Sequence, residues 1–102
     1  MAQFIKAANT DDLKPGSGTL VELEGRRIAL FNIDGNYYAI DDTCTHRGGP
    51  LSDGFVEGEK VTCPWHGAQY DIKTGAVLRP PAPQGVNKYN VRVQGSAVEI
   101  EI

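Results

Sequence analysis

Cys44-Thr45-His46 and Cys63-Pro64-Trp65-His66 decide the reading of this chain. The chain has two cysteines and two histidines, and these two segments hold all of them. Thiolate and imidazole are the side chains that bind soft and borderline transition metals. Each segment offers one sulfur and one nitrogen, in the order C-x-H, then residues 47–62, then C-x-x-H. A disulfide is the other use of two cysteines, but a reducing compartment and the flanking histidines favour a metal.

Outward from these segments the chain reads as β-structure. Helical periodicity is nearly absent, and turn signals recur about every eight to twelve residues, the spacing of an all-β sandwich or barrel. Tyr89, Val91 and Val93 alternate with polar residues, turn at Gly95-Ser96, and continue into Val98, Ile100 and Ile102. That pattern predicts a hairpin with one apolar and one wet face. Leu20–Leu23 turning at Glu24-Gly25 into Ile28–Phe31 predicts a second, and Asp34-Gly35-Asn36 leads that strand into Tyr37–Ile40.

From Thr43 to about Pro83 the character changes, with more Gly and Pro and shorter strands. Phe55-Val56 and Lys60-Val61-Thr62 flank a turn at Glu57-Gly58-Glu59; Gln69-Tyr70-Asp71 and Ala76-Val77-Leu78 flank another at Lys73-Thr74-Gly75. The expectation is a single domain over residues 1–102, an antiparallel β base with a small metal-binding β subdomain inserted at about 43–83. Arg79-Pro80-Pro81-Ala82-Pro83 is a stiff connecting loop, because proline donates no ladder hydrogen bond.

The 102 residues fit one domain, and a chain of this size buries roughly two-thirds of its unfolded surface. A net charge of -3 with scattered basic residues, Arg26-Arg27 being the one adjacent pair, gives no support for nucleic-acid binding. Met1–Lys6 has no signal-peptide pattern and no apolar run is long enough to span a membrane, so a cytoplasmic protein is expected.

A Cys2His2 set satisfies either structural zinc or a two-iron cluster. Zinc fingers pair two cysteines on one knuckle and two histidines on a helix, whereas here each loop mixes the two and no helix follows. Mixed loops suit two metals that divide the ligands by type. A Cys–His nucleophile is a further use of such pairs, but duplicating it has no mechanistic purpose.

CTHRGGPLSDG (44–54) together with CPWHGAQYDIKTG (63–75) resembles the Rieske [2Fe–2S] proteins, specifically their small soluble ferredoxins. The resemblance covers the whole chain and implies the Rieske (ISP-domain) fold with one cluster per chain. It implies Cys44 and Cys63 on the inner iron, with His46 and His66 on the outer iron facing solvent. Trp65, Gly67, Tyr70, Pro80 and Pro81 are the residues expected to tune or shield the cluster. Each also has a plainer reading: Trp65 as core, Gly67 and Gly48-Gly49-Pro50 as turn residues, Pro80-Pro81 as a linker, Arg47 as a solvated charge.

With two neutral imidazoles the oxidised cluster carries no net charge, so an added electron is easier to accept than at an all-thiolate cluster. Potentials of such centres lie at roughly -150 to +300 mV. High-potential respiratory members carry a serine where this chain has Ala68, and bridging cysteines where it has Gly49 and Trp65. Their tyrosine is retained as Tyr70. With fewer donors to the cluster, the lower part of the range is expected.

The resemblance implies a one-electron carrier with no catalytic residues of its own. It would pass electrons from an NAD(P)H-dependent flavoprotein reductase to a terminal Rieske non-haem iron oxygenase of an aromatic ring-hydroxylating system. Docking would be transient and the protein monomeric, with no exposed apolar strip evident to argue for permanent association. The alternatives are a small subunit of a larger oxidoreductase such as NAD(P)H nitrite reductase, or a zinc-stabilised interaction domain.

Overall fold

The computed structural model describes residues 3–43, 49–65, 67–79 and 85–102. They form eleven strands in three antiparallel four- or three-stranded sheets, with two three-residue 3-10 turns. The middle sheet is built from β2 (Ser17–Leu23), β3 (Arg26–Ile33), β4 (Asn36–Asp41) and β9 (Lys88–Tyr89), paired in that order. Its two hairpins turn at Glu24-Gly25 and Asp34-Gly35, where all four residues have positive φ, as two-residue turns that follow strand twist require. Both turns fall where the sequence placed them.

Strand β3 organises the molecule. Its last six residues are all buried, and alternation sends the five apolar ones to two different cores. Ile28 and Leu30 face a core shared with Val21, Ala39, Val98 and Ile100. Ala29, Phe31 and Ile33 face a second core with Ile40, Leu51, Val61, Cys63, Ala68, Tyr70 and Ile72. On the first side packs the sheet β1 (Phe4–Asn9), β11 (Ala97–Glu101) and β10 (Val91–Gln94), in that order. On the second packs the meander β5 (Phe55–Glu57), β6 (Lys60–Thr62), β7 (Gln69–Asp71) and β8 (Val77–Arg79).

Two sequence expectations are corrected. The run from Tyr89 to Val93 is not one strand: it breaks at Asn90, Tyr89 pairing with Ala39 in the middle sheet and Val91 with Ile100 in the outer one. Val93 is exposed, so that hairpin has a partial apolar face. Strand β1 was not anticipated; its apolar residues do not alternate cleanly, and a bulge between Lys6 and Ala8 accounts for the lost period.

Candidate metal centre

The β5–β8 meander positions Cys63. Val61 and Tyr70 face each other across β6 and β7 and point into the core, so β6 delivers the chain to Cys63 from a buried register. The loop after it closes on itself: the Cys63 N–H donates to the Ala68 carbonyl at 2.7 Å, and the Gly67 N–H to the Cys63 carbonyl at 3.2 Å. Gly67 has φ +78, which a residue with a side chain rarely adopts, so the tight turn alone explains its glycine. Cys63 is 2 % exposed.

The second segment is closed at its base by Asp42. This carboxylate is 1 % exposed and accepts the Ser52 N–H at 2.7 Å, while the backbone carbonyl of the same residue accepts the Leu51 N–H at 2.6 Å. Thr43 and Pro50 form a bridge, so the ends of the intervening loop are pinned together. Arg27 approaches Asp42 at 3.9 Å and Glu22 at 3.8 Å. Asp42 was missed from sequence, where Asp41-Asp42 looks like an ordinary solvated pair of charges. Asp41 acts elsewhere, accepting the Tyr89 hydroxyl at 2.6 Å and the Asn87 N–H at 3.1 Å. Burial first, and then that hydrogen bond, raise the Tyr89 pKa above its ordinary value.

Residues 85–87 are held from two sides. The Val86 N–H donates to the Gly75 carbonyl at 2.8 Å, and the Asp41 N–H to the Asn87 carbonyl at 2.9 Å. The meander is also tied to the middle sheet by Lys73, which pairs with Glu59 and lies 5.8 Å from the Tyr38 ring centroid. The hydrogen bond to Glu59 leads the causes that raise the Lys73 pKa.

Of the residues expected at the site, the structure brings together Cys63, Trp65, Gly67 and Tyr70. Cys44, His46, His66, Pro80 and Pro81, with Arg47 and Gly48, lie outside the described residues. Tyr70 is fully buried in the same core as Cys63. The reading of Trp65 as core is wrong, since the residue is 57 % exposed. Phe55 and Leu78 are also exposed, which the sequence reading did not expect. They sit on the two edge strands of the meander, β5 and β8, with β6 and β7 between them.

The donor chemistry fits an iron–sulfur group. Burial in apolar surroundings disfavours a thiolate, whereas ligation to iron neutralises it. On the other segment Gly49 has no side chain, and a Cβ there would lie 2.6 Å from the Cys63 sulfur. The two loops therefore meet at that sulfur.

Residues 3–90 match the family described as Rieske [2Fe–2S] domain, and the chain belongs to that family. Its cofactor is accordingly a [2Fe–2S] cluster. Within the family, ferredoxin components are matched over nearly their full length, whereas the terminal oxygenase of carbazole 1,9a-dioxygenase is matched over 29 % of its chain. It is 35 % identical to the ferredoxin component of the naphthalene 1,2-dioxygenase system of Pseudomonas aeruginosa, over 98 % of this chain and 96 % of that protein. The ferredoxin of carbazole 1,9a-dioxygenase from Nocardioides aromaticivorans IC177 superposes with a TM-score of 0.92 at 29 % identity, covering 96 % of each chain. A ferredoxin chain solved in complex with the reduced oxygenase of carbazole 1,9a-dioxygenase gives 0.89 at 28 % identity, covering 95 % of this chain and 91 % of that one. A putative NADH-dependent nitrite reductase small subunit from Mycobacterium tuberculosis shares the fold, with 0.90 at 25 % identity over 100 % and 96 % of the two chains. The protein is a ferredoxin, an electron-transfer component.

Proposed function

We propose that this ferredoxin carries one electron at a time from an NAD(P)H-dependent flavoprotein reductase to a terminal Rieske non-haem iron oxygenase, in the cytoplasm and as a monomer. Cys44 and Cys63 hold one iron and His46 and His66 the other. The bound cluster supplies the one-electron couple. The residues of the chain do the rest. Cys63 anchors the group to the core through β6 and the closed 63–68 loop. Asp42 sets the base of the loop that carries Cys44 and His46. Asp41 and Gly75 hold the 85–87 segment that follows the proline run.

The observation that carries this reading is the pairing of a buried Cys63 on a self-closed loop with near full-length similarity to dioxygenase ferredoxins. No helix among the described residues is long and apolar enough to cross a membrane. A net charge of -3 suits brief docking on basic partner surfaces, where electrostatics raise the encounter rate more than the affinity.

Reconstitution tests the proposal. With NADH and the reductase of the naphthalene 1,2-dioxygenase system, the visible absorbance of the oxidised protein should bleach. Adding the matching oxygenase, its aromatic substrate and oxygen should restore it while product accumulates. Failure of the reductase to bleach the protein, or isolation of the chain only as a fixed subunit of a larger complex, would count against the shuttle.

A further inference from the structure

Gly49 is a glycine for want of space, not for its backbone. Seven of the described glycines have positive φ, and Gly49 is not among them. Any residue could adopt its conformation, yet a Cβ built there falls 2.6 Å from the Cys63 sulfur and 3.2 and 3.3 Å from Cδ2 and Cγ of Trp65. Real Cβ atoms essentially never show the first of these distances. The indole and the Cys63 sulfur thus both lie against Gly49; Trp65 is more than half exposed and Cys63 almost wholly covered.

We infer that Gly49 and Trp65 form a non-covalent clasp that joins the two ligand loops and sets both the position and the solvent shielding of the Cys63 sulfur. They are positioning residues: Gly49 admits the sulfur, and the flat face of Trp65 closes over the junction. The aromatic ring contacts the Gly49 backbone, and that contact holds the two segments together through dispersion and apolar burial. The clasp also keeps water donors away from the sulfur. Such donors would stabilise the reduced, more negative centre, so the clasp lowers the potential. The inference rests on Cys63 being a cluster ligand.

The test compares wild type with Trp65→Ala, Trp65→Phe and Gly49→Ala, each as anaerobically purified holoprotein. Three quantities are read: the reduction potential, the EPR spectrum of the reduced protein, and the rate at which visible absorbance is lost in excess EDTA. Trp65→Ala should bleach about tenfold faster, the low end of what loss of an outer-shell partner does to metal affinity, and its potential should move to more positive values. Trp65→Phe keeps a ring against Gly49 and should stay within about twofold of wild type. Gly49→Ala strains no backbone torsion, so it should fold with an unchanged far-UV spectrum but show shifted g values and faster bleaching. A Trp65→Ala protein with wild-type bleaching and potential overturns the clasp, as does a Gly49→Ala protein with an unaltered EPR spectrum. Wild-type protein that lacks a [2Fe–2S] EPR signal overturns the ligand assignment itself, and the clasp with it.

Discussion

Replacing Asp42 by alanine would show how much of the site depends on one buried carboxylate. The side chain is 1 % exposed and takes the Ser52 N–H at 2.7 Å, and Ser52 is itself buried. Alanine removes a charge-assisted hydrogen bond worth about 1.5–3 kcal/mol and strands a buried amide donor, a penalty of about 1–3 kcal/mol. These two descriptions overlap, so the expected loss is about 2–4 kcal/mol. Arg27 adds little, because its side chain is 56 % exposed and its guanidinium 3.9 Å away. For a domain of this size 1 kcal/mol shifts the midpoint by about 4–8 °C, so Asp42→Ala should unfold at least roughly 10 °C below wild type. Asp42→Asn keeps an oxygen acceptor for Ser52 and should lose only about 1 kcal/mol. Anaerobic thermal unfolding followed by far-UV circular dichroism and visible absorbance together gives the answer. In Asp42→Ala the colour should fade before the β-signal, because the staple lies at the base of the loop holding Cys44 and His46. An alanine variant within about 1 kcal/mol of wild type, or an asparagine variant as damaged as alanine, would refute the reasoning.

Other consequences are open to measurement. Tyr70→Phe should lower the reduction potential by roughly 40 mV if the hydroxyl donates to a ligand sulfur, the one-electron equivalent of about 1 kcal/mol; protein-film voltammetry decides, and an unchanged potential removes Tyr70 from the tuning set. Leu30→Ala and Phe31→Ala sit side by side on β3 but face different cores. The first should cost about 2–5 kcal/mol in urea unfolding with the potential unmoved, and the second about 3–5 kcal/mol with a shifted EPR spectrum, since only Phe31 shares a core with Cys63. Tyr89 has a raised pKa in the fold, so its neutral form contributes stability below about pH 10 that is lost as pH rises through the folded value. Urea midpoints of wild type and Tyr89→Phe should therefore converge on the alkaline side, with the variant about 1 kcal/mol weaker near neutrality.

Much of this molecule was legible in the sequence. Gly25 and Asp34-Gly35 are turn residues whose chemistry admits positive φ, and the strands on either side followed, with Glu24 carried into the same region by the two-residue turn. The short strands at 55–57, 60–62, 69–71 and 77–79 lie where the Gly-bearing turns put them. What was hidden depended on contacts distant in sequence. Nothing local in Tyr89-Asn90-Val91 says that the chain changes sheets at Asn90; that follows from Ala39 and Ile100 competing for its two ends. Asp42 looks like a surface charge until Ser52 is brought to it. Trp65 looks like core from its type alone, and its exposure follows from lying on the loop beyond β6, against a residue with no side chain. The candidate ligands stand out in the sequence because their types are rare and their spacing is narrow; residues such as Asp42 and Gly49 are common types with no spacing rule.

The division of ligands between the two irons is tested most directly by pulsed EPR of the reduced protein, which detects the nitrogen nuclei bound to the paramagnetic centre. Mixed ligation predicts a [2Fe–2S] signal with hyperfine couplings from two imidazole nitrogens, one of them lost in His46→Cys and the other in His66→Cys. A cluster signal without nitrogen couplings, or a colourless and EPR-silent protein that contains zinc, would contradict it.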